Sequence, residues 1–186
     1  MARRLLTGAA VSGAVLAFSA LAAHAEHFTA KFSGFQEIGG LGAGETGAIL
    51  SNGTATLDLD LDRNAQTLTF KLTYANLGSA VVQSHIHFGK VHVAGGVVVF
   101  FCANPPASAM APAGTQACPA SGTVTGTLKA ADVVGPAGQN IAAGNFDGLE
   151  DALESNTAYG NIHTTLFPAG EIRGQIHRGN GEDDDR

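Results

Sequence analysis

Three histidines carry the best candidate chemistry of this sequence. His85 and His87 flank Ile86 in the segment 84–89 (SHIHFG), and His163 follows much later in the chain. In an extended strand, residues two apart point to the same face, so His85 and His87 project together while Ile86 turns into the core. If the strand of His163 pairs with theirs or faces it, three neutral imidazoles converge. Such a nitrogen donor set suits Cu(II) or Zn(II).

Two interpretations of these histidines remain open at this level. In the first, they bind copper or zinc. In the second, they lie on a β surface and form hydrogen bonds with the backbone or with water. Spacing along the chain does not decide between the two, because convergence depends on how the strands are placed relative to each other. The sequence therefore does not establish a cofactor. If the histidines bind one, copper and zinc are the candidates.

The strands that would hold the histidines belong to an all-β pattern. In the clearest example, Leu57, Leu59 and Leu61 alternate with aspartates, and a second alternating segment, 67–74, follows the short connection 63–65. This pattern predicts an antiparallel hairpin with one buried face and one wet face.

About eight such strands and one short helix make up the predicted fold. The helix spans 145–154, with Asn145 as its N-cap. The continuous apolar run 97–101 predicts a strand that is covered on both faces. A Greek-key β-sandwich or barrel follows from this content, an architecture that resembles the immunoglobulin and superoxide dismutase folds. The residues expected to face inward are Phe32, Leu57, Leu59, Leu61, Leu68, Phe70, Leu72, Ile86, Val98, Phe100, Ile162, Ile172 and Ile176.

The two ends of the chain predict processing and disorder. Residues 1–25 have a basic start, an apolar run and the small-x-small site Ala-His-Ala, which together are typical of a secretory signal peptide. One β domain is expected over 26–178, and the acidic end 179–186 is expected to be a disordered tail. The protein is therefore expected to be secreted, or in the cell envelope (the periplasm in a Gram-negative cell), by a general or a twin-arginine route.

The net charge limits the classes of binding partner, and the two cysteines predict a disulfide. Without Arg3 and Arg4, 8 of the 10 basic residues remain against 16 acidic ones, a formal charge of −8. Such a surface repels nucleic acid and anionic membranes, so the expected partner is an extracellular protein or surface ligand. In an exported protein, Cys102 and Cys118 are most simply a disulfide that closes the Pro- and Ala-rich segment between them.

Several segments together resemble the chordin-domain (CHRD) family, over roughly 28–177. The resemblance rests on the His-Ile-His-x-Gly segment, on the apolar strand 96–101, and on the ending 159–176, where an Asn-x-His-Thr strand precedes Gly-Glu-Ile-Arg-Gly-Gln. Gly160 departs from the pattern, since the family more often has a β-branched residue there, which suggests a bulge or a close backbone approach.

The resemblance implies a secreted, all-β, immunoglobulin-like barrel. Single-domain microbial members generally have no established activity, and a family likeness does not transfer the growth-factor binding of chordin. The expected function is therefore a non-enzymatic extracellular binding or structural module. The alternative is a copper or zinc protein with redox chemistry, because the His-x-His strand is similar in outline to the copper-binding strand of Cu/Zn superoxide dismutases.

Two further polar residues, Glu171 and Arg173, lie in the last strand. With residues 175 and 177 they form a polar face, and the ordinary interpretation is a set of exposed ion pairs worth about 0–1 kcal/mol each. The functional alternative treats Arg173 as an anion-binding residue. No nucleophile elbow, phosphate loop or dinucleotide fingerprint occurs, so no enzyme activity is predicted from motifs, although catalytic triads can assemble in space.

We predict that export leaves a mature N-terminus at Glu26. Intact-mass spectrometry of the exported protein should give the mass of a chain that starts there. Ala25→Phe should block this cleavage because the site needs a small residue at that position, whereas His24→Phe, at the tolerant middle position, should not. An exported chain that still begins at Met1 would contradict the prediction.

Overall fold

The computed structural model describes residues 25–38 and 47–179. The predicted signal peptide, the glycine-rich loop after residue 38 and the acidic tail fall almost entirely outside these ranges, so they stay predictions. None of the helices in the described ranges is long and apolar enough to cross a membrane.

Within the described ranges, nine strands form two antiparallel sheets, which confirms the all-β, sandwich-like fold. The first sheet has the order β6-β3-β2-β1-β9 and the second has the order β5-β4-β7-β8. The apolar core contains buried side chains from both sheets. The elements are β1 (Glu26–Phe32), β2 (Thr54–Asp62), β3 (Thr67–Ala75), β4 (Val81–Phe88), β5 (Gly96–Ala103), β6 (Gly122–Lys129), α1 (Phe146–Glu154), β7 (Ala158–Thr164), β8 (Ile172–Gln175) and β9 (His177–Arg178).

The predicted hairpin is β2 and β3. Leu57, Leu59 and Leu61 are almost fully buried, and each lies opposite an apolar residue of β3. The alternating aspartates lie opposite Lys71 and two threonines on the wet face. Alternation of apolar and polar residues therefore set the register of this pair, since a slip by one residue would expose every leucine.

Strand β5 differs from the prediction in one respect. All the residues expected to face inward are buried, but Phe100 lies outside the core cluster and its ring meets His85 edge-on, with centroids 5.2 Å apart. The pairing of β4 with β5 shifts register twice, leaving Val98 and Phe101 without a direct partner. Such bulges re-aim side chains, so Phe101 takes the core position, with its ring centroid 4.7 Å from that of Phe70.

The predicted disulfide between Cys102 and Cys118 is present. It joins the end of β5 to the segment before β6. Asn104 reinforces the link, because its side chain donates to the Cys118 carbonyl and accepts from the Cys118 N–H at 2.9 and 3.1 Å. In the chain-entropy model, closing a loop of this length contributes roughly 3 kcal/mol.

Helix α1 has the predicted cap. The Asn145 side chain accepts a hydrogen bond from the Gly148 N–H at 3.0 Å. The buried residues of the helix are Phe146, Leu149, Ala152 and Leu153.

Gly160 in β7 is the site of a close approach, but the approaching group is a side chain and not backbone. The ring of Phe32, from the other sheet, lies where a Cβ on Gly160 would stand, with Cζ only 2.1 Å from that position. Gly174, directly opposite Gly160 in β8, also contacts this ring. The pairing of β7 runs through Gly160 without a bulge, so the two glycines make room for Phe32 in the core.

Leu59→Ala should lower the free energy of unfolding by about 2–5 kcal/mol, because Leu59 is fully buried and truncation leaves a cavity. Asp60→Ala should change it by less than about 1 kcal/mol, since Asp60 is exposed and its contact with His27 is a surface pair. Urea melts of both variants measure the difference. Similar losses in the two would contradict the assigned strand register.

Candidate metal centre

Pairing of β4 with β7 brings the three predicted histidines together. His85 lies opposite Asn161, and the pairing Gln83–His163 places His163 one step further along the same face. The ring centroid of His85 lies 4.4 Å from that of His87 and 4.6 Å from that of His163. One ring nitrogen from each residue lies within 4.8 Å of the others, which is close enough for a single ion to touch all three.

The histidine cluster, His85, His87 and His163, is buried on the outer face of the second sheet. The three residues are 1%, 9% and 6% exposed. Burial is the main cause that lowers the pKa of each ring, to about 4 for His87 and well below its ordinary value for His85. The rings are therefore neutral at pH 7, which is the form that binds metal.

Backbone carbonyls fix the orientation of two of the rings. Nδ1–H of His87 donates to the Gly95 carbonyl at 2.8 Å, and Nδ1–H of His163 donates to the Pro168 carbonyl at 3.0 Å. A carbonyl only accepts, so Nδ1 carries the proton and Nε2 carries the free lone pair in each neutral ring. Donation from the remote nitrogen to a carbonyl is the usual support of a metal-binding histidine.

Three ring nitrogens of the cluster are buried and unpaired. Nε2 of His87, Nε2 of His163 and Nδ1 of His85 find no hydrogen-bond partner among the described residues. Buried polar atoms without partners are rare, and each costs about 1–3 kcal/mol. Three such atoms in a cluster of three residues are the feature of this site that most needs an explanation.

Aromatic rings enclose the histidine cluster. Tyr159 stacks on His87 with ring centroids 4.7 Å apart and planes 6° apart. The Tyr159 hydroxyl accepts a hydrogen bond from the Gly95 N–H at 3.1 Å, so Gly95 holds both rings. On the other side, Phe100 meets His85 edge-on. These rings give His85 and His87 apolar neighbours.

The prediction that Arg173 lies on an exposed polar face is wrong. Arg173 is 2% exposed, and its guanidinium carbon lies 3.4 Å from the centroid of the Tyr159 ring. Its nitrogens donate to the carbonyls of Val93 and Lys90 at 3.1 and 3.0 Å. The loop between β4 and β5 covers this face, which strand periodicity does not predict.

Glu171 is also buried, and it does not pair with Arg173. Its carboxylate accepts hydrogen bonds from Ser51 Oγ, the Gly78 N–H and Thr164 Oγ1 at 2.6–2.7 Å. These contacts tie two loops to β7 and leave the group a structural role.

Sequence reasoning missed Glu37 and Tyr159. Glu37 is buried, and its carboxylate accepts from the Asn161 amide at 2.7 Å; burial raises its pKa. Tyr159 could have been found, because it lies four residues before His163 in one strand and so shares its face. Glu37 gave no signal, since it enters from a loop.

A comparison with protein families supports the resemblance seen in the sequence. The model of the CHRD domain matches residues 28–176. Since this is most of the chain, the chain belongs to the CHRD domain family. No curated protein and no solved structure gives a significant match to it.

The metal-free protein should lose stability as the pH falls from about 6.5 through about 4. The ring of His87 takes up a proton more readily in the unfolded chain than in the fold, so its contribution is fully present above pH 6.5 and lost as the pH falls to about 4. The shift corresponds to a loss of about 3 kcal/mol. Urea melts at pH 7 and pH 4, with a chelator present, measure it.

His87→Phe should remove most of this His87 contribution from the pH dependence, because phenylalanine keeps the stacked ring and does not titrate. His177→Phe, at an exposed position, is the matched control and should leave the dependence as in the wild type. Equal pH dependence in all three proteins would contradict the neutral, buried state of His87.

Proposed function

We propose that this CHRD-domain protein is an extracellular module that binds one transition-metal ion, copper or zinc, through His85, His87 and His163. The observation that carries the proposal is a cluster in which one ring nitrogen of each histidine lies within 4.8 Å of the others, and in which three buried ring nitrogens lack hydrogen-bond partners among the described residues. An ion held by the cluster would accept the Nε2 lone pairs of His87 and His163 and remove the cost of leaving them unpaired.

The surroundings of the cluster support an ion more than they support hydrogen bonding. A structural role would require a donor facing the Nε2 lone pairs of His87 and His163, and the described part of the chain provides none. Their Nδ1–H groups are already used on the Gly95 and Pro168 carbonyls, which orients both lone pairs. Because both rings are already oriented, less conformational freedom is lost on binding, which favours affinity for an ion.

Retention of an ion fits the enclosure better than catalytic turnover does. The histidines are less than a tenth exposed, and Phe100 and Tyr159 pack against two of them. Three protein ligands leave a fourth position for a small ligand in zinc enzymes, but reaction at that position needs access for substrate. We therefore place binding before superoxide-dismutase-like chemistry as the function of the site.

An extracellular setting is supported by three independent features. The predicted signal peptide would export the chain, the disulfide between Cys102 and Cys118 is stable in an oxidising compartment, and CHRD domains are typical of extracellular proteins. A partner or surface ligand of the domain stays a prediction.

Elemental analysis of protein purified without added chelator should find about one equivalent of copper or zinc, and the metal-free protein should bind one equivalent on titration. His163→Ala and His87→Ala should each weaken binding by at least about 100-fold, because two imidazoles remain where three were. His177→Ala, an exposed histidine on β9, is the matched control and should bind as the wild type does.

Absence of stoichiometric binding by the wild type would overturn the proposal. So would equal affinity in the wild type, His87→Ala and His163→Ala, since the ion would then lie elsewhere.

A further inference from the structure

We infer that the ion selected by this site is monovalent copper, and that Arg173 is the residue that sets the selectivity by disfavouring divalent ions. The inference rests on the proposed function, because it names the ion that the histidine cluster holds. It follows from the charge of the donor set and of the side chains packed behind it.

The donor set carries no negative charge. His87 and His163 offer neutral Nε2 atoms, because their Nδ1 atoms keep their protons in hydrogen bonds to carbonyls. Within the described residues, the group that could hold an ion contains only the three histidines, with no carboxylate or thiolate beside them. Three neutral nitrogens complete a trigonal shell for Cu(I), whereas Zn(II) takes four ligands in structural sites.

Burial also favours the lower charge. The cost of moving an ion from water into a medium of low dielectric constant rises with the square of its charge, so a divalent ion pays about four times as much as a monovalent one of the same size. A carboxylate or thiolate ligand would normally offset this cost, and the histidine cluster has none. The penalty therefore falls mainly on Zn(II) and Cu(II).

The guanidinium of Arg173 adds a positive charge behind the site. It lies 3.4 Å from the centroid of the Tyr159 ring, and that ring stacks on His87. The field of this charge disfavours any cation bound to His87, twice as strongly for a divalent ion as for a monovalent one.

Arg173 is held where it is, so it cannot swing away when an ion binds. Its nitrogens donate to the Val93 and Lys90 carbonyls, and it is almost fully buried. Glu37 is an acidic group that interacts with it. The carboxylate of Glu37 accepts a hydrogen bond from the Asn161 amide and does not belong to the group that could hold an ion. Glu37 offsets part of the charge of Arg173, so a substitution of Glu37 also changes the electrostatic field at the histidine cluster.

The test measures dissociation constants for Cu(I) and Zn(II) by chelator competition, at pH 7 and without oxygen. Ascorbate keeps copper reduced and leaves the disulfide intact. The wild type should bind Cu(I) more tightly than Zn(II). Arg173→Gln should shift the ratio of the two affinities toward Zn(II) by about tenfold, as expected for a unit charge roughly 10 Å away at an effective dielectric constant of about 20.

Arg173→Lys is the matched control, because it loses the same forked hydrogen bonds and keeps the charge. Its affinity ratio should stay close to that of the wild type. Glu37→Gln removes the opposing charge and should shift the ratio toward Cu(I). Circular dichroism and thermal melts establish which variants are folded, and Glu37→Gln tests the field alone if both Arg173 variants unfold.

Two sets of outcomes separate the failures. Zn(II) bound as tightly as Cu(I) by the wild type overturns the inference while the proposed function stands. Equal shifts in Arg173→Gln and Arg173→Lys, or no shift toward Cu(I) in Glu37→Gln, overturn the role of the charge. Failure of the wild type to bind either ion overturns the proposed function itself.

Discussion

The outer face of the second sheet is covered by loops, so each polar side chain on it must find a partner inside the protein. Glu171 meets this constraint with three hydrogen-bond donors, and Arg173 meets it with two loop carbonyls and an aromatic ring. Gln175 donates to the carbonyls of Gly89 and Asn156. The histidines on the same face leave three nitrogens unpaired. Glu171, Arg173 and Gln175 are satisfied, so the three nitrogens stand out on this face together with the unpaired Oε1 of Gln83, which lies opposite His163.

Gly95 is the point at which the covering loop and the site are joined. Its carbonyl sets the proton position on His87, and its N–H holds the Tyr159 hydroxyl. A Cβ on this residue would stand 1.7 Å from the carbonyl oxygen of Phe88, so no other residue fits without moving the backbone. Because Arg173 clamps the same loop at Lys90 and Val93, the loop, the ring stack and the orientation of His87 depend on one another.

Strand periodicity predicted which side chains share a face of a strand. The prediction failed where strand pairing is irregular or where a loop covers the strand. His85 and His87 were placed on one face because they are two residues apart in a strand, which turns Ile86 inward, and Ile86 is indeed fully buried in the core. Phe100 was misplaced because the pairing of β4 with β5 shifts register twice, which interrupts the alternation of inward and outward residues. The sequence alone gives no sign of these shifts. Arg173 was misplaced because its burial comes from a loop without periodicity, which no strand pattern describes.

The position of the histidine cluster on the outer face of the sheet makes folding of the domain independent of any bound ion. Small metal domains that lack a core fold only with their ion, since binding supplies the free energy of folding. Here the core lies between two sheets and contains Ile86 and Ile162, which are the sequence neighbours of the histidines and point the other way. The backbone that carries the histidines is therefore fixed by apolar burial and by the pairing of β4 with β7, whether or not an ion is bound. Under the proposed function, a site fixed in this way would relax little around a poorly matched ion, so the charge of the surroundings would influence which ion the cluster favours.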